Sequence, residues 1–282
     1  MDTELSAGAL TYGEVVVPGR TSAEILVSAH VCHPAQANDN LSGIAVAAGL
    51  AQRLLAGPTP RCTVRFLFAP GTLGALAWLD RHRHDAVRHI CGGLVLTGLG
   101  DPAPPSYKRS RRGGTLIDRS VEHVLRHSAP DAQVLDFSPY GYDERQFCSP
   151  GFDLPVGRLG RGLHGEYPEY HTSADDLAFV SAARLGQSLD LLAQVVDVLE
   201  RDRVLVNQAP YGEPQLGRHG LYRSLGATPM DRQAGEMAML WVLSLSDGSR
   251  SLLGVAERSG LPFSAVAEAA TKLQGVGLLA AS

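Results

Sequence analysis

Apolar residues in this chain come in short runs and in helical stripes, and their alternation predicts most of its elements. Leu10–Val17 and Ala23–Ser28 read as strands parted by a Pro18-Gly19 turn. Gly43–Leu55 sets Ile44, Val46, Ala47, Leu50, Leu54 and Leu55 on one helical face and stops at Gly57-Pro58. Cys62–Phe68 is β-branched and aromatic, hence a strand; Leu73–Arg83 reads as a helix, and Cys91–Leu99 as a buried parallel strand. Strand–helix–strand–helix–strand order predicts an α/β sheet with right-handed crossovers.

Farther along, the pattern loosens. Asp101–Gly114 is polar, basic and proline-bearing, and reads as a loop; Thr115–His127 reads as a helix and Val134–Phe137 as a short strand. Ser138–Thr172 is rich in Gly, Pro and Tyr and is expected to be irregular, a length usually kept for function. Ser181–Arg201 is a long amphipathic helix. Three short helices, Asp231–Leu245, Ser251–Ser259 and Phe263–Gly275, precede the strand-like Val276–Ala280. The SGLPFS turn gives this tail a helix-turn-helix, winged-helix character. The expected division is an α/β domain over 1–206, a linker over 207–230 and a winged-helix domain over 231–282.

Composition narrows the function classes. At 44% hydrophobic and 19% charged the chain is an ordinary globular one, and its net charge of −4 offers no general attraction to nucleic acid or anionic membrane. Four scattered cysteines without a CxxC pair fit reduced thiols, and the first residues show no signal-peptide pattern, so a cytoplasmic location is expected. No run approaches the ~18 apolar residues of a membrane span. Basic residues in the winged helix alternate with acidic ones and its recognition helix carries only Lys272, so nucleic acid is not expected as a partner. The apolar residues Met237, Leu240, Trp241, Leu243 and Leu245 point instead to packing or self-association, hence a homo-oligomer.

The chemistry centres on Ala29–Gly43, AHVCHPAQANDNLSG, which lies between a strand and a helix and holds His30, Cys32, His33 and Asp39. Imidazoles and a carboxylate at the carboxyl edge of an α/β sheet suit a metal; an Asx-rich turn with structural histidines is the plainer alternative. HxCHP at 30–34, ANDNLSG at 37–43, YKRSRRG at 107–113, GYDERQ at 141–146, CSPG at 148–151 and YPEYHTS at 167–173 follow in order. In this set the sequence resembles the zinc-dependent aminopeptidase-like proteins, in the bacterial branch with a C-terminal winged helix. The resemblance spans nearly the whole chain. It implies a mixed sheet flanked by helices, and one Zn²⁺ per chain held by His30, Asp39 and His171, with a position left open for water or substrate. His33 is a possible fourth ligand, a hydrogen-bond partner of a ligand, or a helix-side contact.

The same resemblance implies a metal-dependent enzyme acting on an amide or related bond of a short peptide or amino-acid-like small molecule. Asp143, Glu144 and Glu169 are its candidate acids and bases, and Arg109, Arg111, Tyr142, Arg145 and Tyr170 its candidate substrate contacts. Two departures stand out. Where the branch carries a glutamate general base after the Cys62–Phe68 strand, this chain reads Pro70-Gly71-Thr72, which predicts a gap beside Gly71 and weak peptide hydrolysis. The branch also has a longer segment before HxCHP, so a more open pocket, or one completed by another chain, is expected. A non-catalytic metal- or ligand-binding partner subunit is the alternative function.

Overall fold

The computed structural model describes residues 3–4, 6–221 and 229–282. Residues 222–228 of the expected linker, with Tyr222, lie outside the described residues. Contacts divide the chain into two units, 1–194 and 195–282.

The first unit is built on a mixed seven-stranded sheet. Its strands are β1 (Gly13–Val17), β2 (Glu24–His30), β3 (Thr63–Ala69), β4 (Ile90–Thr97), β5 (Pro105–Lys108), β6 (Gln133–Leu135) and β7 (Val156–Arg161), in the order β1-β3-β2-β4-β7-β5-β6. β3, β2, β4 and β7 run parallel; β1 and β5 pair antiparallel to their neighbours β3 and β7. After Glu24 all of β2 is buried, as a central parallel strand covered on both faces must be. Helices α1 (Gly43–Ala56), α2 (Leu73–His89), α3 (Leu116–Ser128), the single turn α4 (Glu144–Phe147) and α5 (Ala182–Arg201) flank it. Leu26, Leu67, Trp78, Leu79, Val95, Phe147 and Val156 share one core cluster beneath α2 and α4.

Two stretches read as irregular turn out to be structured. β5 lies inside the expected 101–114 loop, and α4 and β7 lie inside 138–172. β7 reads VGRLGR, with two glycines and two arginines, yet all six residues are buried. The glycines are steric necessities: a Cβ at Gly157 would lie 2.3 Å from the Tyr107 hydroxyl, and one at Gly160 would lie 2.6 Å from the Thr97 carbonyl oxygen. Steric need thus looked like a loop signal.

In the second unit β8 (Val204–Asn207), β9 (Asp247–Ser251) and β10 (Leu279–Ala281) form an antiparallel sheet, β10-β8-β9, with helices α6 (Pro229–Leu245), α7 (Leu252–Ser259) and α8 (Phe263–Gly275). The expected edge at 206/207 therefore falls inside β8. Of the apolar residues expected to be surplus, Leu243 is buried, Leu240, Trp241 and Leu245 are half-buried, and only Met237 is exposed. Lys272 on α8 is paired with Glu268 at 2.7 Å. No described helix is long and apolar enough to cross a membrane.

Candidate functional site

Strands β2, β3, β4 and β7 end at one edge of the sheet, and the loops leaving them supply the site. Their carboxyl ends carry His30, the Gly71-Thr72 turn, Gly98–Asp101 and the His164–His171 segment respectively. With Tyr140–Arg145 the loops after β2, β3 and β7 line a cavity of about 290 Å³ that includes His30, Cys32, His33, Asp39, Gly71, Tyr142, Asp143, Arg145, Tyr170 and His171.

Asp39 is the centre. It is 1% exposed, and its Oδ1 receives a hydrogen bond from His30 Nε2 at 2.8 Å. Its Oδ2 faces His171 Nε2 at 3.2 Å and His33 Nε2 at 3.7 Å. Donor atoms of His33, Asp39 and His171 all lie within 4.8 Å of one another. His30 stands outside that trio, stacked on Tyr142 with ring centres 4.9 Å apart. Burial alone would raise the Asp39 carboxyl, but the His30 hydrogen bond and the three imidazoles outweigh it and hold the group below the usual carboxylate range.

The turn bearing Asp39 is anchored from several directions. Asp175 accepts from the Asn38 and Asp39 backbone N–H groups at 2.6 and 3.0 Å, tying this turn to the loop that carries His171. Asn38 donates to Asp101 and accepts from Gly100 N–H. Asn40 donates to the Leu96 carbonyl, and Ser42 accepts from Leu99 N–H. Asn40 also demands the glycine that follows the turn, since a Cβ at Gly43 would lie 2.4 Å from its amide oxygen.

Asp143 lines the cavity and accepts from Thr72 N–H at 2.6 Å; burial lifts its carboxyl above the usual range, a lift that hydrogen bond only partly offsets. Glu144 is sealed in a pair with Lys108 at 2.7 Å and Glu169 is not among the lining residues. Arg109 is held by Glu122 and Asp136, and Arg111 by Asp153, so these guanidiniums grip the protein's own carboxylates away from the cavity. Beside Gly71 the expected gap is filled. The Gly71 N–H donates to Cys32 Sγ at 3.0 Å, and a Cβ on Gly71 would come within 2.7 Å of that sulfur. The sequence reading missed His164, whose ring edges onto Tyr142 at 4.4 Å; its place three residues before YPEYHTS was the available signal.

The family model described as a domain of unknown function, DUF4910, matches residues 3–202, and a winged helix-turn-helix model matches 203–281. The chain belongs to the aminopeptidase-like DUF4910 family. A Clostridium acetobutylicum protein, named provisionally for polysaccharide biosynthesis and for an aminopeptidase-like domain, is 43% identical over 279 residues. That match covers 99% of this DUF4910 chain and 63% of the relative. A crystal structure from Clostridium acetobutylicum, described provisionally as a peptidase, superposes with a TM-score of 0.88 at 40% identity, over 96% of this chain and 60% of the other. This chain thus spans about three fifths of the length of those relatives. A zinc aminopeptidase from Bacillus subtilis shares the fold at a TM-score of 0.57 and 19% identity, over 67% of this chain and 48% of its own.

Proposed function

We propose that this DUF4910 protein holds one zinc ion at His33, Asp39 and His171 and acts on an amide or related bond of a small amino-acid-like molecule or short peptide. The donor set carries the reading: two imidazoles and a carboxylate with donor atoms within 4.8 Å suit a cation whose ligands sit at about 2.0–2.2 Å. The zinc aminopeptidase sharing the fold agrees with that choice of metal. Zinc bound there supplies Lewis acidity toward a carbonyl oxygen or a water. His30 steers Asp39 through Oδ1 and is the nearest further donor, the position the family resemblance favours as a ligand.

Of the three acids expected to serve catalysis, Asp143 is the one that lines the cavity, and its upward shift suits a general base. Tyr142, fixed by stacking on His30, and Tyr170, stacked on His171, shape the mouth. The C-terminal unit is read as a packing module and not a DNA reader, because the base on its recognition helix is already paired.

Metal content and amine release test this together. We expect about one zinc per chain, lost in His171→Ala, and release of amine from small aminoacyl amides that disappears in Asp143→Asn. No stoichiometric metal in the wild type would overturn the site. Zinc binding without turnover of any amide would favour the non-catalytic alternative, which the glycine at 71 already motivates.

A further inference from the structure

Three basic side chains gather at the Tyr140–Arg145 wall of the cavity, and two carry an unpartnered nitrogen. Lys108 on β5 and Arg158 on β7 are register partners in the antiparallel pair, and both are buried. Lys108 is committed, donating to Glu144 Oε1 and the Tyr140 carbonyl at 2.7 Å each. Arg158 is 3% exposed, and its Nε is sealed from solvent without a hydrogen-bond partner. Its charge acts on Glu144, Tyr142 and His164, and the last two line the cavity. Arg145 lines the cavity itself and also has a buried Nε without a partner.

Among the described residues, Asp143 and Glu144 are the acids that stand against Lys108, Arg145 and Arg158 in this wall. A buried guanidinium nitrogen without a hydrogen bond is costly, and a negative charge brought into the cavity beside these cations offsets part of that cost. A carboxylate matches the guanidinium fork in shape and charge.

We propose that the molecule taken by this cavity carries a carboxylate, received by Arg145 in the positive field of buried Arg158. The position of the rest of that molecule, beside the His33–Asp39–His171 group, rests on the metal-site reading; the carboxylate preference does not. Among such molecules acid-bearing amino compounds are therefore bound more tightly than neutral amides of the same size.

Calorimetric titration with glutarate and with its neutral diamide tests this, on zinc-loaded protein and on the same protein after chelator treatment. Glutarate should bind at least about tenfold more tightly than the diamide in both states. Arg145→Gln should weaken glutarate by about 10–100-fold, as loss of a charge-assisted hydrogen bond does, and leave the diamide unchanged. Arg145→Lys should recover part of that loss, and Arg158→Met should weaken glutarate several-fold. Should Arg158→Met fail to fold by circular dichroism, Arg145→Gln decides alone. Equal binding of acid and diamide in chelator-treated protein, or an unchanged glutarate affinity in Arg145→Gln, overturns the proposal while leaving the metal reading intact. Absent zinc with a persistent Arg145-dependent preference does the reverse. Alanyl-alanine against its C-terminal amide, and glutamyl-alanine amide against glutaminyl-alanine amide, separate a main-chain carboxylate from a side-chain one.

Discussion

On the Asp39 side of the cavity the buried side chains of Asn38, Asp39, Asn40 and Ser42 are all hydrogen-bonded. On the Arg158 side Glu144 Oε2, Arg145 Nε, Arg158 Nε and His164 Nδ1 are buried without partners. In the first wall these four side chains are spent on fixing one carboxylate and the loop beside it, and the unpartnered atoms there, Gln36 Oε1 and Tyr167 Oη, carry no charge. The second has polar groups left over. A completed network rigidifies, whereas an incomplete one costs stability until something occupies it. One wall is thus a holder and the other a receiver.

Asp175 gives this contrast its largest test. Asp175→Ala leaves two buried N–H groups, those of Asn38 and Asp39, without an acceptor, and should cost roughly 2–4 kcal/mol in urea unfolding. Zinc affinity should fall with it, because Asp39 and His171 lose their common anchor. Asp175→Asn, which keeps one oxygen, should recover part of both. An unchanged midpoint would mean the holder wall is not held this way.

Arg158→Met should do the opposite in the same assay. Removing a buried cation whose desolvation outweighs its attraction to Glu144 is expected to leave stability unchanged or raise it by roughly 1–2 kcal/mol. A loss as large as that of Asp175→Ala would erase the distinction between the walls.

The holder wall was largely legible in the sequence and the receiver wall was not. HxCHP, ANDNLSG and YPEYHTS are compact motifs whose residues act where the motif stands, so His30, His33, Asp39 and His171 could be named before any fold was known. Which imidazoles face the same Asp39 oxygen is a matter of loop geometry: His33 and His171 face Oδ2, and His30 faces Oδ1. Arg158 lies in a strand whose glycines hid it, and its importance comes from a buried Nε without a hydrogen bond, which no local pattern records. Arg109 and Arg111 erred the other way: a basic run looked like a ligand grip, but Glu122, Asp136 and Asp153, distant in sequence, neutralise it.

The two walls should also titrate with opposite sign in chelator-treated protein. Asp39 is held below its ordinary value, so it stabilises the fold above about pH 3.9, the unfolded value, and that contribution is lost as pH falls toward the folded one. Asp143 is held above its ordinary value, chiefly by burial, so ionising it costs stability as pH rises from about 3.9 through the raised folded value. Asp39→Asn should flatten the acid side of the stability profile, and Asp143→Asn should remove the loss on the rising side. Profiles that shift in the same direction would contradict the difference between the two carboxylates. If Asp143 is the base, the acid limb of the rate profile lies above the usual carboxylate range.

The smallest effect expected sits where the walls meet, at Gly71. The family pattern places a glutamate there, and the chain's glycine suggested an empty space; instead the Cys32 sulfur occupies it. Gly71→Ala should therefore cost about 1 kcal/mol by overpacking, small because Cys32 is exposed and able to give way. Cys32→Ala, which removes a sulfur acceptor of one N–H group, should cost less. The double variant Cys32→Ala/Gly71→Ala should be more stable than the sum of the two implies, since the clash has gone. The same logic governs catalysis. A carboxylate introduced by Gly71→Glu alone meets the thiol and is turned from its place, so turnover of aminoacyl amides should hardly change. With Cys32→Ala beside it the carboxylate has room, and turnover should rise. If the single Gly71→Glu variant gains as much as the double, the thiol does not hold that space, and the missing carboxylate alone limits the reaction.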